Sequence, residues 1–175
     1  GVRQGFFGAV GVVLMLIVAS IDYRFVASLA WPIYALSIVS LVLVLVPGIG
    51  TMVAGSRRWF DFGVTTVQPS EFAKLATILA LASFVASRGS AMRELGNFVL
   101  SLLIAGLPAA LIFEQPDLGS SMVFGIIWLS VILISQTRRR YLVAVTVALP
   151  VMIAVAWRFL LEPYQRPRWL VFLEP

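Results

Sequence analysis

Residues 27–46 read ASLAWPIYALSIVSLVLVLV, from Ala27 to Val46, with no charged side chain among them. A transmembrane helix needs about 20 consecutive, mostly apolar residues to cross the hydrocarbon core. This stretch meets that length alone, and five comparable runs flank it. They extend approximately over Gly5–Ile21, Glu71–Ser87, Phe98–Phe113, Ser120–Ser135 and Tyr141–Leu161. The expected fold is all-α: a polytopic transmembrane helical bundle of about six spans, forming one domain over residues 1–175.

Composition agrees. Hydrophobic residues make up 61% of the 175-residue chain and charged ones 12%. A soluble domain averages about 45–50% and about 25%, so a water-facing surface would have to be covered in Leu, Val and Phe. The chain has His 0 and Cys 0, which excludes a Cys/His zinc site, a thiol nucleophile, a disulfide and a Ser-His-Asp triad. Acid–base chemistry must come from Asp, Glu, Lys, Arg or Tyr. The net charge of +5 is expected to face membrane lipids rather than nucleic acid, because Lys and Arg gather at span ends beside phosphate headgroups. Gly5–Ile21 lacks the basic leader of a cleavable signal and runs straight into further spans.

Counting spans assigns the connections to two faces. Pro47–Ser70, Glu114–Gly119 and the segment Glu162–Pro175 follow the second, fourth and sixth spans and so share one face. Asp22–Arg24, Arg88–Glu94 and Thr137–Arg140 share the other. The run Arg138-Arg139-Arg140 is the densest short basic loop and marks its face as cytoplasmic. The opposite face carries acids and bases together, beyond what topology requires.

Four motifs lie on that mixed face. Gly55-Ser56-Arg57-Arg58-Trp59 sets guanidinium groups beside aromatics, as an interfacial anchor does and as a phosphate-holding site does. In Gln68-Pro69-Ser70-Glu71-Phe72-Ala73-Lys74, Pro opens a helix and places Glu71 and Lys74 at i and i+3 on one face. That spacing suits an ion pair that locks packing, or a site that handles a charged headgroup. Asp117, in Gln115-Pro116-Asp117-Leu118-Gly119, is placed to cap the next helix. Tyr164-Gln165-Arg166-Pro167-Arg168-Trp169 returns two cations to the same side. The small residues Gly5, Gly8 and Gly11, and Ala105, Gly106, Ala109 and Ala110, are expected to line close helix contacts.

In this order and spacing, the four motifs resemble the SEDS family of RodA-, FtsW- and SpoVE-like proteins, and Tyr-Gln-Arg-x-Arg leans towards its RodA-like branch. The resemblance implies a multi-pass enzyme of the bacterial inner membrane that polymerises lipid II into peptidoglycan strands. It implies an inverting, metal-dependent glycosyl transfer with undecaprenyl pyrophosphate as leaving group, a divalent cation (Mg or Mn) and a class B penicillin-binding protein as partner. Arg58 matches the Arg of the family's Arg-Trp motif, Glu71 and Lys74 its polar pair in the central cavity, and Asp117 the Asp of Gln-Pro-Asp. With Arg166 and Arg168, these are the expected substrate-binding or cavity residues, on an extracytoplasmic face. Glu71 is also a possible cation ligand. The family's general base is expected beyond Pro175, so the sequence reads as a fragment lacking the first span and the C-terminal half. Such a fragment is expected to be inactive alone. On the residues themselves, two rivals stand beside the enzyme: a flippase for a lipid-linked precursor, and a docking platform for a penicillin-binding protein.

Overall fold

The computed structural model describes residues 2–53, 56–61, 63 and 66–155. The helices are α1 (Val2–Ala19), α2 (Tyr23–Leu45), α3 (Pro69–Arg88), α4 (Leu95–Phe113), α5 (Leu118–Ile134) and α6 (Arg139–Val155). A single-turn 3-10 segment, Gly89–Arg93, joins α3 to α4. Among the described residues, three helical stretches are long and apolar enough to cross a membrane by length and composition: Tyr23–Leu45, Pro69–Arg93 and Leu95–Phe113. Leu118–Ile134 is a shorter apolar helix of 17 residues. The chain divides into two compact units, residues 1–136 and 137–175; α6 is the described helix of the second.

The first unit buries a cluster drawn from four helices: Leu41 of α2, Ala73 of α3, Ile112 of α4 and Phe124 of α5. The face of α3 turned into this core is built from Ala73, Ala76, Thr77 and Ala80, all at most 1% exposed. Their spacing follows the 3.6-residue period, and their small size lets neighbouring backbones approach. The close-packing face therefore lies on α3. The stripe Gly5, Gly8 and Gly11 does not serve that purpose here, since a Cβ added to any of them would meet nothing within 4 Å. Gly106 is equally open, whereas Ala105 is buried. Small residues make an interface only where another helix stands opposite, and α1 has none against that stripe among the described residues.

Polar side chains inside the bundle find partners across helices. Tyr34 donates its hydroxyl to the Ile104 carbonyl at 2.8 Å, joining α2 to α4. Trp128 Nε1 donates to Ser101 Oγ at 3.1 Å, and Ser121 Oγ to the Ala109 carbonyl at 2.9 Å, joining α5 to α4. Each such bond contributes about 0.6 kcal/mol on average in a bilayer setting, so together they fix register more than they add stability.

The connection between α2 and α3, read from sequence as a loop, contains a small antiparallel sheet of β1 (Thr51–Val53), β2 (Ser56–Asp61) and β3 (Thr66–Val67), with β2 in the centre. Phe60 pairs with Val67 and Asp61 with Thr66. Asp61 and Gly63 shape the intervening turn: the Gly63 N–H donates to Asp61 Oδ1 at 2.8 Å, and Gly63 takes φ +77°, a region glycine enters without a Cβ clash. β1 and β3 span three and two residues, too few to show a period-two pattern, and the six residues of β2 do not alternate apolar with polar.

Candidate functional site

Asp117 is the N-cap of α5. Its Oδ1 accepts the Ser120 backbone N–H at 3.1 Å, satisfying one of the free donors of the first turn. The other oxygen, Oδ2, accepts three further contacts. Ser120 Oγ donates to it at 2.9 Å, Gln68 Nε2 at 3.4 Å, and Arg58 Nη1 lies 3.2 Å away in an ion pair. The Asp117 side chain is 14% exposed and that of Arg58 29%, so water screens the pair only partly. The expected cap is present, and it also carries a charge pair. Arg58 comes from β2 and Asp117 from the turn between α4 and α5. These two connections therefore lie at one end of the first unit, as span counting required.

Glu71 and Lys74 sit in the first two turns of α3, whose N-terminus is opened by Gln68 and Pro69. Lys74 Nζ donates to Glu71 Oε1 at 2.8 Å. Glu71 is the more open member, with its side chain 58% exposed against 22% for Lys74. The carboxylate in the first turn also suits the positive end of the helix dipole. Lys74 is thereby held as an oriented donor beside an accessible carboxylate.

Two residues that the sequence reading left unassigned complete the arrangement. Gln68 accepts the Glu71 backbone N–H on its carbonyl at 3.2 Å while its side chain reaches Asp117. It bridges the Arg58–Asp117 pair to the turn that carries Glu71. Ser120 stands at the third position of its helix, where an Asp-x-x-Ser spacing signals the cap. Arg166 and Arg168, the remaining expected site residues, lie outside the described residues.

Beside this charged end, α2, α3 and the sheet enclose an apolar hollow of about 450 Å³. Leu36, Phe60, Val67, Pro69, Phe72 and Leu75 are among its walls. Ser37 and Ser40 also line it, but each hydroxyl already donates to a carbonyl of its own helix. The hollow thus offers hydrocarbon surface and no charge, while the adjacent helix start offers charge.

Among the described residues, no three carboxylates gather as a cation site. Glu71 is engaged by Lys74, and Asp117 by Arg58, Gln68 and Ser120. These residues do not form a complete set of oxygen ligands for Mg or Mn.

The model of the FTSW_RODA_SPOVE family, described as cell cycle protein, matches residues 1–175. The chain belongs to this family, the SEDS family. It is 34% identical over 167 residues to the peptidoglycan glycosyltransferase MrdB of Escherichia coli (strain K12), covering 95% of this chain and 44% of that protein. The SEDS chain thus spans less than half the length of this curated relative. Among solved structures, it superposes on a chain of a peptidoglycan synthase complex with a TM-score of 0.77 and 31% identity, covering 98% of this chain and 50% of that one. It also superposes on the rod shape determining protein RodA of Thermus thermophilus with a TM-score of 0.70 and 31% identity, covering 86% and 49%. The SEDS chain is accordingly a multi-pass membrane protein with a helical-bundle fold.

Proposed function

We propose that the chain forms the substrate-holding part of a peptidoglycan glycosyltransferase that polymerises lipid II into glycan strands for cell-wall elongation or division. The observation that carries this reading is the Glu71–Lys74 pair at the opening of α3, next to the Arg58–Asp117 pair and an apolar hollow. A lipid-linked sugar has an anionic pyrophosphate and a hydrocarbon tail, and this end of the bundle offers both environments side by side. The names of the similar proteins support the same reaction class.

In this reading Lys74 donates charge-assisted hydrogen bonds to the anionic group of the substrate, and Glu71 fixes the direction of its ammonium. Arg58 contributes its guanidinium at the same end, with Asp117 holding its orientation. Neutralising the pyrophosphate makes undecaprenyl pyrophosphate a better leaving group, an electrostatic contribution to the transition state. In this reading Arg58, Glu71 and Lys74 hold and orient the substrate, and none of them is assigned as the general base. Magnesium or manganese belongs to this reading on the family resemblance alone. Glu71 offers one carboxylate, and substrate phosphates would supply further oxygens. The site faces the extracytoplasmic side of the bacterial inner membrane, where a class B penicillin-binding protein is the partner.

The test is strand formation from purified lipid II by the full-length protein with its partner in detergent, where there are no two sides to transport between. Glycan strands support the assignment. Absence of strands, combined with movement of lipid II across vesicles by the same preparation, would replace it with a flippase.

A further inference from the structure

Gln68 lies between the turn that carries Glu71 and the Arg58–Asp117 pair. Its backbone carbonyl takes the Glu71 N–H at 3.2 Å, and its side-chain amide donates to Asp117 Oδ2 at 3.4 Å. Asp117 in turn holds Arg58 at 3.2 Å and caps α5 through Ser120. Gln68 has no side-chain bond to its own helix, although it occupies the N-cap of α3. An N-cap side chain normally turns inward to satisfy the free N–H groups of the first turn. Here the amide leaves that task and crosses to another helix.

The consequence is positional. The first turn of α3 carries Glu71, and the second carries Lys74, both on one face. A helix start that lacks its side-chain cap is free to fray, since those N–H groups gain little from the helix itself. Anchoring Gln68 to Asp117 removes that freedom by tying α3 to the helix start and strand that Asp117 already joins. We propose that Gln68 is a positioning residue: by linking the first turn of α3 to Asp117, it fixes the Glu71–Lys74 pair against the anionic headgroup of a lipid-linked substrate. The headgroup part rests on the glycosyltransferase assignment, while the anchoring of α3 is independent of it.

The test replaces Gln68 in the full-length protein with its partner by leucine, Gln68→Leu, which keeps a side chain of comparable bulk and deletes the amide. Hydrogen exchange at the Glu71–Lys74 amides is expected to speed up by about tenfold, as it does when a local turn opens more often. The kcat/KM for lipid II is expected to fall about tenfold, mostly in KM, since small misplacements of a holding group weaken productive binding. The thermal midpoint is expected to stay close to that of the parent. Adding Gln68→Leu to Asp117→Ala should speed exchange no further, because a residue that acts through Asp117 has nothing left to lose.

Unchanged exchange in Gln68→Leu overturns the anchor. Faster exchange with unchanged kcat/KM overturns the positioning role while keeping the anchor. If the parent protein makes no glycan at all, the enzyme assignment falls, and the exchange rates still decide whether Gln68 anchors α3.

Discussion

Arg58 and Asp117 face each other at 3.2 Å, one from the central strand after α2 and the other from the cap of α5. This pair joins two connections that are far apart in sequence and puts the charged residues of both at one end of the first unit. Because Asp117 both caps a helix and pairs with a cation, its substitutions separate the two roles. Asp117→Asn keeps a good cap and loses the charge, and is expected to cost about 1 kcal/mol, within the range for partly exposed ion pairs. Asp117→Ala loses the cap as well and should cost about 2 kcal/mol. Thermal unfolding of the two variants and the parent checks the order; equal midpoints for Asn and Ala would remove the cap from the account.

Trp128 and Ser101 give an asymmetric pair. Both are buried, and Ser101 Oγ donates to the Phe98 carbonyl at 2.6 Å while accepting from Trp128. Ser101→Ala leaves a buried indole N–H without its partner and is expected to cost about 1–3 kcal/mol. Ser101→Thr keeps the hydroxyl and should cost less. Comparing the two thermal midpoints checks whether the hydroxyl, rather than volume alone, is what α4 supplies.

Ala73 sits at the centre of the four-helix cluster with no exposure. Ala73→Leu adds three carbons where α2, α4 and α5 already meet, and overpacking of this kind costs about 1–3 kcal/mol. Leu75, two residues on, is 63% exposed, so Leu75→Ala should change stability much less. A stability difference in the opposite order would contradict the assigned inner face of α3.

The first five helices were legible because each apolar run is long enough to show its length and bounds directly, while the expected end of the sixth run at Leu161 lies outside the described residues. Ala27–Val46 corresponds to α2 within a few residues, and Pro69 marks the start of α3 as a proline at a first helical turn should. The sheet was not legible, because Thr51–Val53 and Thr66–Val67 are too short for alternation to appear and are held by pairing to Ser56–Asp61. The Glu71–Lys74 contact followed from helical spacing alone. The Arg58–Asp117 contact did not, since parity gives a shared end but no partner. Gln68 was hidden for a further reason: the side-chain bond it makes leaves its own helix, and no local spacing points to Asp117. Among the described residues nothing stands opposite Gly5, Gly8 and Gly11: a small-residue stripe shows what a helix permits, and only the opposite surface shows whether anything approaches.

The most direct measurement is lipid II polymerisation by the full-length protein with its partner, compared with Lys74→Ala and Glu71→Ala in the same detergent. Glu71 is largely exposed and pairs within its own helix, so each change should alter stability by no more than about 0.5 kcal/mol and leave membrane insertion intact. The account predicts strand formation at least about 100-fold slower in both variants, since Lys74→Ala removes a charge-stabilising donor and Glu71→Ala removes the carboxylate that orients it. Strand formation at the parent rate in both would contradict it and leave Glu71 and Lys74 as a packing pair.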